Sequence, residues 1–82
     1  MKKGKVIDIN RKKGVIAVEV EDGEFSVIEL LGGHDVKMND IISGNLEFLG
    51  GAKLYNESQK ESMSVNIQSA SCTKKSAKHL ME

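Results

Sequence analysis

The chain has 82 residues, 39% of them hydrophobic, and its 12 basic and 12 acidic residues give a formal net charge of zero. This length allows one domain with one modest core and argues against a large cleft between domains. The zero net charge argues against a strong, unspecific polyanion binder. No apolar run approaches the roughly 20 residues of a membrane span, and no signal-like segment is present. Cys72 is the only cysteine, so no internal disulfide can form and we expect a reducing, cytoplasmic setting.

The first part of the chain predicts two strands joined by a polar loop. Lys5 to Asn10 is rich in valine and isoleucine and ends at the loop 11–14. Residues 15–21 then alternate with the period of a strand that has one buried and one solvated face, with Ile16, Val18 and Val20 on the buried face.

A tight hairpin leads to the third predicted strand. Asp22-Gly23 readily takes the positive φ angles of such a turn. After the turn, Phe25 is predicted to face the core together with Val27, while Ser26 and Ile28 face outwards. Regular pairing is expected to stop at Gly32-Gly33.

The second half of the chain predicts shorter strands and a tail. Residues 41–49 form a fourth apolar run, in which Gly44 indicates a bend or bulge of the kind that a small barrel needs and Phe48 is predicted to face the core. Gly50-Gly51 predicts a hairpin turn into a short strand at 53–55, and the polar stretch 56–62 predicts a loop before a last strand near 63–69. Residues 71–82 form a basic tail, either a short helix or disordered, whose apolar content is too small for firm docking.

The pattern as a whole predicts an all-β domain over residues 1–70, a small antiparallel barrel of about five strands that removes its own edges. Its opening resembles the cold-shock domain, a five-stranded OB-type barrel that binds single-stranded RNA and DNA. The resemblance is carried by residues 4 to 30, through the strings Gly4-Lys5-Val6, Asn10, Lys13-Gly14 and Asp22-Gly23.

The aromatic residues on which that family stacks bases are missing from this chain. Asp8 stands where the family has a tryptophan, Val15 and Ala17 where the second strand has aromatics, and Ser26 and Ile28 where the third strand has phenylalanine and histidine. Since stacking contributes about 1–3 kcal/mol per base, losing three or four bases at the lower end removes about 3–4 kcal/mol, or two to three powers of ten in affinity.

Two functions follow as hypotheses. The resemblance implies a single-stranded RNA- or DNA-binding module of weak affinity, with phosphate contacts from a basic loop and one stacking tyrosine. Its candidate residues are Lys5, Arg11, Lys12, Lys13, Lys53 and Tyr55. The charge pattern agrees in part, because basic residues dominate the first thirteen positions and acidic ones positions 19–29, which predicts a positive and a negative end.

The alternative is a protein-interaction module or weak homodimer without nucleic-acid binding. Val15, Ala17 and Ile28 are predicted on the outer face, where they form a small apolar patch that suits a protein partner, a second copy or cover by the tail.

Catalysis and metal binding find little support. His34-Asp35, His79 and Cys72 have no metal-ligand spacing, and no nucleophile has a base beside it in sequence. We therefore expect no enzyme, no metal and no cofactor.

Overall fold

The computed structural model describes residues 1–82 and shows six strands and one helix. The strands close into an antiparallel barrel in the order β1-β2-β3-β6-β5-β4. The all-β antiparallel barrel is thus confirmed, with six strands instead of five. The elements are β1 (Lys2–Asn10), β2 (Val15–Val20), β3 (Phe25–Leu30), β4 (Ile41–Gly44), β5 (Gly50–Asn56), β6 (Glu61–Cys72) and α1 (Lys74–Leu80).

Closure places the connecting segments at two ends of the barrel. The upper end carries the 11–14 loop, the 31–40 loop and the 57–60 turn, and the lower end carries the 21–24 and 45–49 turns. β1 starts at Lys2, earlier than predicted, because Lys2 and Lys3 pair with β4; from Gly4 onwards β1 also pairs with β2. This double pairing closes the barrel.

The predicted hairpin between β2 and β3 is present. Gly23 has a φ of +90° and its N–H donates to the carbonyl of Val20 at 2.8 Å. In β2, the predicted alternation is correct, since Ile16, Val18 and Val20 all lie in the barrel core.

The predicted facing of β3 is wrong by one residue. Ser26 and Ile28 point into the barrel, whereas Phe25 and Val27 belong to a second apolar cluster on the outer side. Ser26 is accommodated inside because its Oγ donates to the carbonyl of Leu46 at 2.8 Å. Burying a hydroxyl that has a hydrogen-bond partner costs little free energy, so a serine can face the core. The alternation of apolar and polar residues in β3 therefore predicts the wrong face.

The region 41–51 also differs from the sequence-based expectation. Only residues 41–44 form a strand, and Gly44 has a φ of +141°, the bend that its position indicated. The chain then turns so that Leu46 fills the lower end of the barrel while Phe48, expected in the core, is 65% exposed. Gly50-Gly51 lies in β5 and not in the turn, which occupies residues 45–49.

The tail is a docked helix, contrary to the expectation of weak docking. Thr73 caps its first turn, with Oγ1 accepting from the N–H of Ser76 at 3.1 Å. Ala77 and Met81, one helical turn apart, are buried against the barrel. The helix has seven residues, and no helix in the structure is long and apolar enough to span a membrane.

Candidate nucleic-acid interface

The outer face of β2 and β3, which the family resemblance assigns to base stacking, is covered by α1. Val15, Ala17, Phe25 and Val27 form one buried cluster with Ala77 of the helix and Met81 at its C-terminal cap, and Ile7 and Cys72 pack at its margin. An isolated helix of this length is not stable in water. This one is stabilised because its docking buries apolar side chains of the helix and of the two strands.

The structure therefore leaves no free apolar patch at the positions that the alternative hypothesis named. Val15 and Ala17 do lie on the outer side of the barrel, as predicted, but both are buried beneath the helix. Ile28 lies in the barrel core and not on the outer side. Of the three occupants considered for this face, the tail is the one present.

Two polar contacts attach the C-terminal end of α1 to the loop between β1 and β2. The side-chain amide of Asn10 donates to the carbonyl of Met81 at 2.9 Å, and Nζ of Lys13 donates to the backbone oxygen of Glu82. The helix thus runs up the barrel from the end of β6, beside Phe25, to the 11–14 loop.

This arrangement brings together two basic stretches that lie sixty residues apart in sequence. The loop supplies Lys12 and Lys13, and the exposed side of α1 supplies Lys74, Lys75 and Lys78. We call these five lysines the basic ridge. None of them forms an ion pair with an aspartate or glutamate side chain: the ion pairs of the structure involve Lys2, Lys3, His34 and His79.

The two lysines at the start of β1, in contrast to those of the ridge, form ion pairs with carboxylate side chains. Lys2 contacts the carboxylates of Asp22 at 2.5 Å and Glu47 at 3.1 Å, and hydrogen bonds to these two groups raise its pKa to about 12. Lys3 contacts Glu57 at 3.2 Å, and the pKa of that carboxyl is lowered by the hydroxyl of Ser43 and then by Lys3. The first residues of the chain are therefore locally neutralised.

Arg11 points away from the ridge. Its Nη2 donates to the carbonyl of Val36 at 3.2 Å, so the guanidinium joins the 11–14 loop to the 31–40 loop. Its role in the structure is to hold two loops of the upper end together.

The remaining predicted residues lie on other strands: Lys53 and Tyr55 on β5, across the barrel from β2, and Lys5 on β1. Tyr55 is 40% exposed on β5, and its cross-strand neighbours are Ser43 and Ser62. Lys53 points out two residues earlier on β5, and Lys5 lies on β1 opposite Glu19 and Ile41. The six predicted nucleic-acid contacts therefore do not form one site, because the barrel lies between the ridge and the outer face of β5 that carries Tyr55.

The basic ridge was missed because the tail was expected not to dock. Two signals in the sequence indicate the helix: a capping threonine three residues before Ser76, and the apolar spacing of Ala77 and Met81. With that helix docked on its apolar side, Lys74, Lys75 and Lys78 must face solvent.

His34 makes structural contacts between a loop and a strand. His34 Nδ1 lies 3.0 Å from a carboxylate oxygen of Glu61, and its Nε2 accepts the backbone N–H of Ser64 at 3.3 Å, so the ring joins the 31–40 loop to β6. No group of three or more histidine, cysteine, aspartate or glutamate side chains is placed to hold a metal ion.

Comparison with known proteins gives no identification. No protein-family model matches the chain, and neither a search of curated proteins nor one of solved structures finds a match. The barrel and its surfaces are therefore the basis on which a function is proposed.

Proposed function

We propose that this chain binds the phosphate backbone of single-stranded nucleic acid through the basic ridge. The observation that carries the proposal is the docking of α1, which covers the outer face of β2 and β3 and carries three exposed lysines between the end of β6 and the 11–14 loop. Exposed ammonium groups that form no ion pair with a carboxylate side chain are available for phosphate contact, and of the five only Lys13 makes an internal hydrogen bond, to the backbone oxygen of Glu82.

The proposed binding differs from that of the cold-shock domain because it includes no contact that would recognise particular bases. The helix stands between the solvent and the strand positions where aromatic residues stack on bases, and the ridge itself contains no aromatic side chain. Phosphate contacts fix a strand without reading its sequence. We therefore expect weak, salt-dependent binding with little base preference.

The charge distribution supports the ridge over other parts of the surface. The net charge of the whole chain is zero, so attraction to a polyanion has to come from a local excess of positive charge. Five of the 12 basic residues lie on the ridge without carboxylate partners, whereas Lys2 and Lys3 each contact a carboxylate.

The test is a fluorescence-anisotropy titration with a labelled single-stranded oligonucleotide at low and at moderate salt. We expect binding that weakens steeply with salt, and the variant Lys74→Glu/Lys78→Glu should bind about tenfold or more weakly at low salt. Both positions are exposed, so the barrel should remain folded by circular dichroism.

The matched control is Lys53→Glu/Lys60→Glu, which changes the net charge by the same amount on exposed residues away from the ridge. It should keep most of the affinity. Equal loss in both variants would show that net charge alone matters, and loss only in the control, or on Tyr55→Ala, would move the site to the face of β5. No binding at high micromolar protein in low salt would end the proposal. A labelled duplex in the same assay tests the preference for single strands.

A further inference from the structure

The largest cavity of the structure is an open groove between the last residues of β6 and one side of α1. It has a volume of about 860 Å³, within the roughly 300–1,000 Å³ that small-molecule sites occupy. All the residues that line it lie between Ser69 and Glu82, because the chain leaves β6 at Cys72 and returns along the barrel as α1. This β6–α1 groove therefore exists only while the helix is docked.

The β6–α1 groove carries an excess of positive charge. Lys75, Lys78 and His79 line it, and neither lysine forms an ion pair. The only acidic lining residue is Glu82, whose carboxylate lies 3.7 Å from Nδ1 of His79. No aspartate or glutamate occurs in residues 62–81. An anion is therefore the ligand that the charge of the groove favours, and two ammonium groups are available to contact it.

The other side chains of the β6–α1 groove suit the sugar and base of a nucleotide. Leu80 is 47% exposed and gives the groove an apolar wall. Ser71 and Ser76 add exposed hydroxyls, which can donate to or accept from the hydroxyls of a sugar. Oγ1 of Thr73 already accepts the backbone N–H of Ser76 at 3.1 Å, so side chains and not the start of the helix provide these contacts.

We propose that the β6–α1 groove binds one nucleotide, with its phosphate on Lys75 and Lys78 and its nucleoside along Leu80. This inference rests on the proposed function, because both lysines belong to the basic ridge and the nucleotide is one unit of the strand bound there. A free nucleoside monophosphate has the same chemistry and is the simplest probe. Since the groove is open and offers few contacts, we expect a dissociation constant on the order of 1–10 mM for this probe.

Backbone amide chemical shifts of the full chain, followed during titration with adenosine monophosphate, test the inference. We expect saturable changes at Ser71, Ser76 and Leu80. Lys75→Glu should raise the dissociation constant about fivefold or more, because it replaces a phosphate contact with a like charge. The matched control is Lys74→Glu, which makes the same charge change at the neighbouring exposed position but does not line the groove. It should change the dissociation constant by no more than about twofold.

Titration with inorganic phosphate separates the phosphate contact from the nucleoside contact. Inorganic phosphate should bind about threefold or more weakly than adenosine monophosphate, and Leu80→Ser should remove this difference, because the apolar contact is then lost. Circular dichroism checks that each variant is folded. No saturable change up to about 50 mM, equal binding of the two ligands by the parent chain, or equal effects of Lys74→Glu and Lys75→Glu would overturn the proposal.

The oligonucleotide titration distinguishes failure of this inference from failure of the proposed function. If the oligonucleotide binds and adenosine monophosphate does not, the ridge remains supported and the nucleotide site in the groove is overturned. If only adenosine monophosphate binds, the groove is supported as a site for free nucleotides and the proposed function fails. If both bind, the oligonucleotide should displace adenosine monophosphate, and failure to displace it would overturn the placement of the strand in the groove.

Discussion

Replacing Gly44 with alanine should lower the free energy of unfolding by about 2–6 kcal/mol, a large part of the stability of a domain of this size. Gly44 ends β4 with a φ of +141°, a conformation that residues with a Cβ rarely adopt. A Cβ there would lie 2.6 Å from Cδ2 of the buried Leu54. Backbone strain of about 1–3 kcal/mol adds to an overpacking cost of about 1–3 kcal/mol. Urea denaturation followed by circular dichroism measures the change.

Gly33→Ala is the matched control for this substitution. Gly33 lies in the 31–40 loop without a positive φ, and no atom lies within 4 Å of the position of its Cβ. We expect its free energy of unfolding to remain within a few tenths of a kcal/mol of that of the parent, or to rise slightly because alanine reduces the conformational entropy of the unfolded chain. If both glycines tolerated alanine equally well, the bend that ends β4 would not be a constraint on the barrel.

Asp40→Ala should also destabilise the barrel, by about 2–4 kcal/mol, because it leaves the buried side-chain amide of Asn56 without its acceptor and removes two further hydrogen bonds. The carboxylate of Asp40 is buried at the start of β4, where it accepts hydrogen bonds from the N–H of Lys37 and the side-chain amide of Asn56, both at 2.9 Å, and from Gln59 at 3.2 Å. It thus joins the 31–40 loop to the 57–60 turn.

The same carboxylate makes the free energy of unfolding depend on pH in the acidic range. Burial works to raise the pKa of Asp40, but the combined hydrogen bonds from Asn56, Lys37 and Gln59 outweigh it, and the pKa lies below its ordinary value. The folded state therefore favours the ionised carboxylate. Its contribution to the free energy of unfolding is present in full above the pKa of about 3.9 that an aspartate has in the unfolded chain, and it is lost as the pH falls through the lower pKa of the folded state.

Asp40→Asn separates the two effects. The amide oxygen can still accept from Lys37 and Asn56, so the loss at neutral pH should be smaller than in Asp40→Ala. Denaturation curves at neutral and acidic pH should show a weaker acid dependence in the asparagine variant than in the parent. Equal acid dependence in the two proteins would contradict the assignment of this hydrogen-bond network to the ionised carboxylate.

Local patterns in the sequence predicted the parts of the fold that local physics decides. The alternation of β2, the Asp22-Gly23 turn and the bend at Gly44 all appear where the sequence placed them. Each depends on a period of two or on a φ angle that glycine adopts at no steric cost.

Other features depend on partners distant in sequence and were not predicted. Ser26 faces the core because a carbonyl twenty residues later accepts its hydroxyl hydrogen, and Phe48 faces solvent because Leu46 fills the lower end of the barrel in its place. The helix docks because β2 and β3 present an apolar outer face that the tail alone does not reveal. The basic ridge follows from that docking, so the candidate site could not be assembled from the tail and the 11–14 loop considered separately.

The account depends most on the docking of α1, and nuclear Overhauser contacts in solution test it directly. We predict contacts from the methyl groups of Ala77 and Met81 to the side chains of the cluster that they share with Val15, Ala17, Phe25 and Val27, with helical chemical shifts across residues 74–80. Random-coil shifts in the tail, with no contact between it and the outer face of β2 and β3, would contradict both the covered face and the basic ridge.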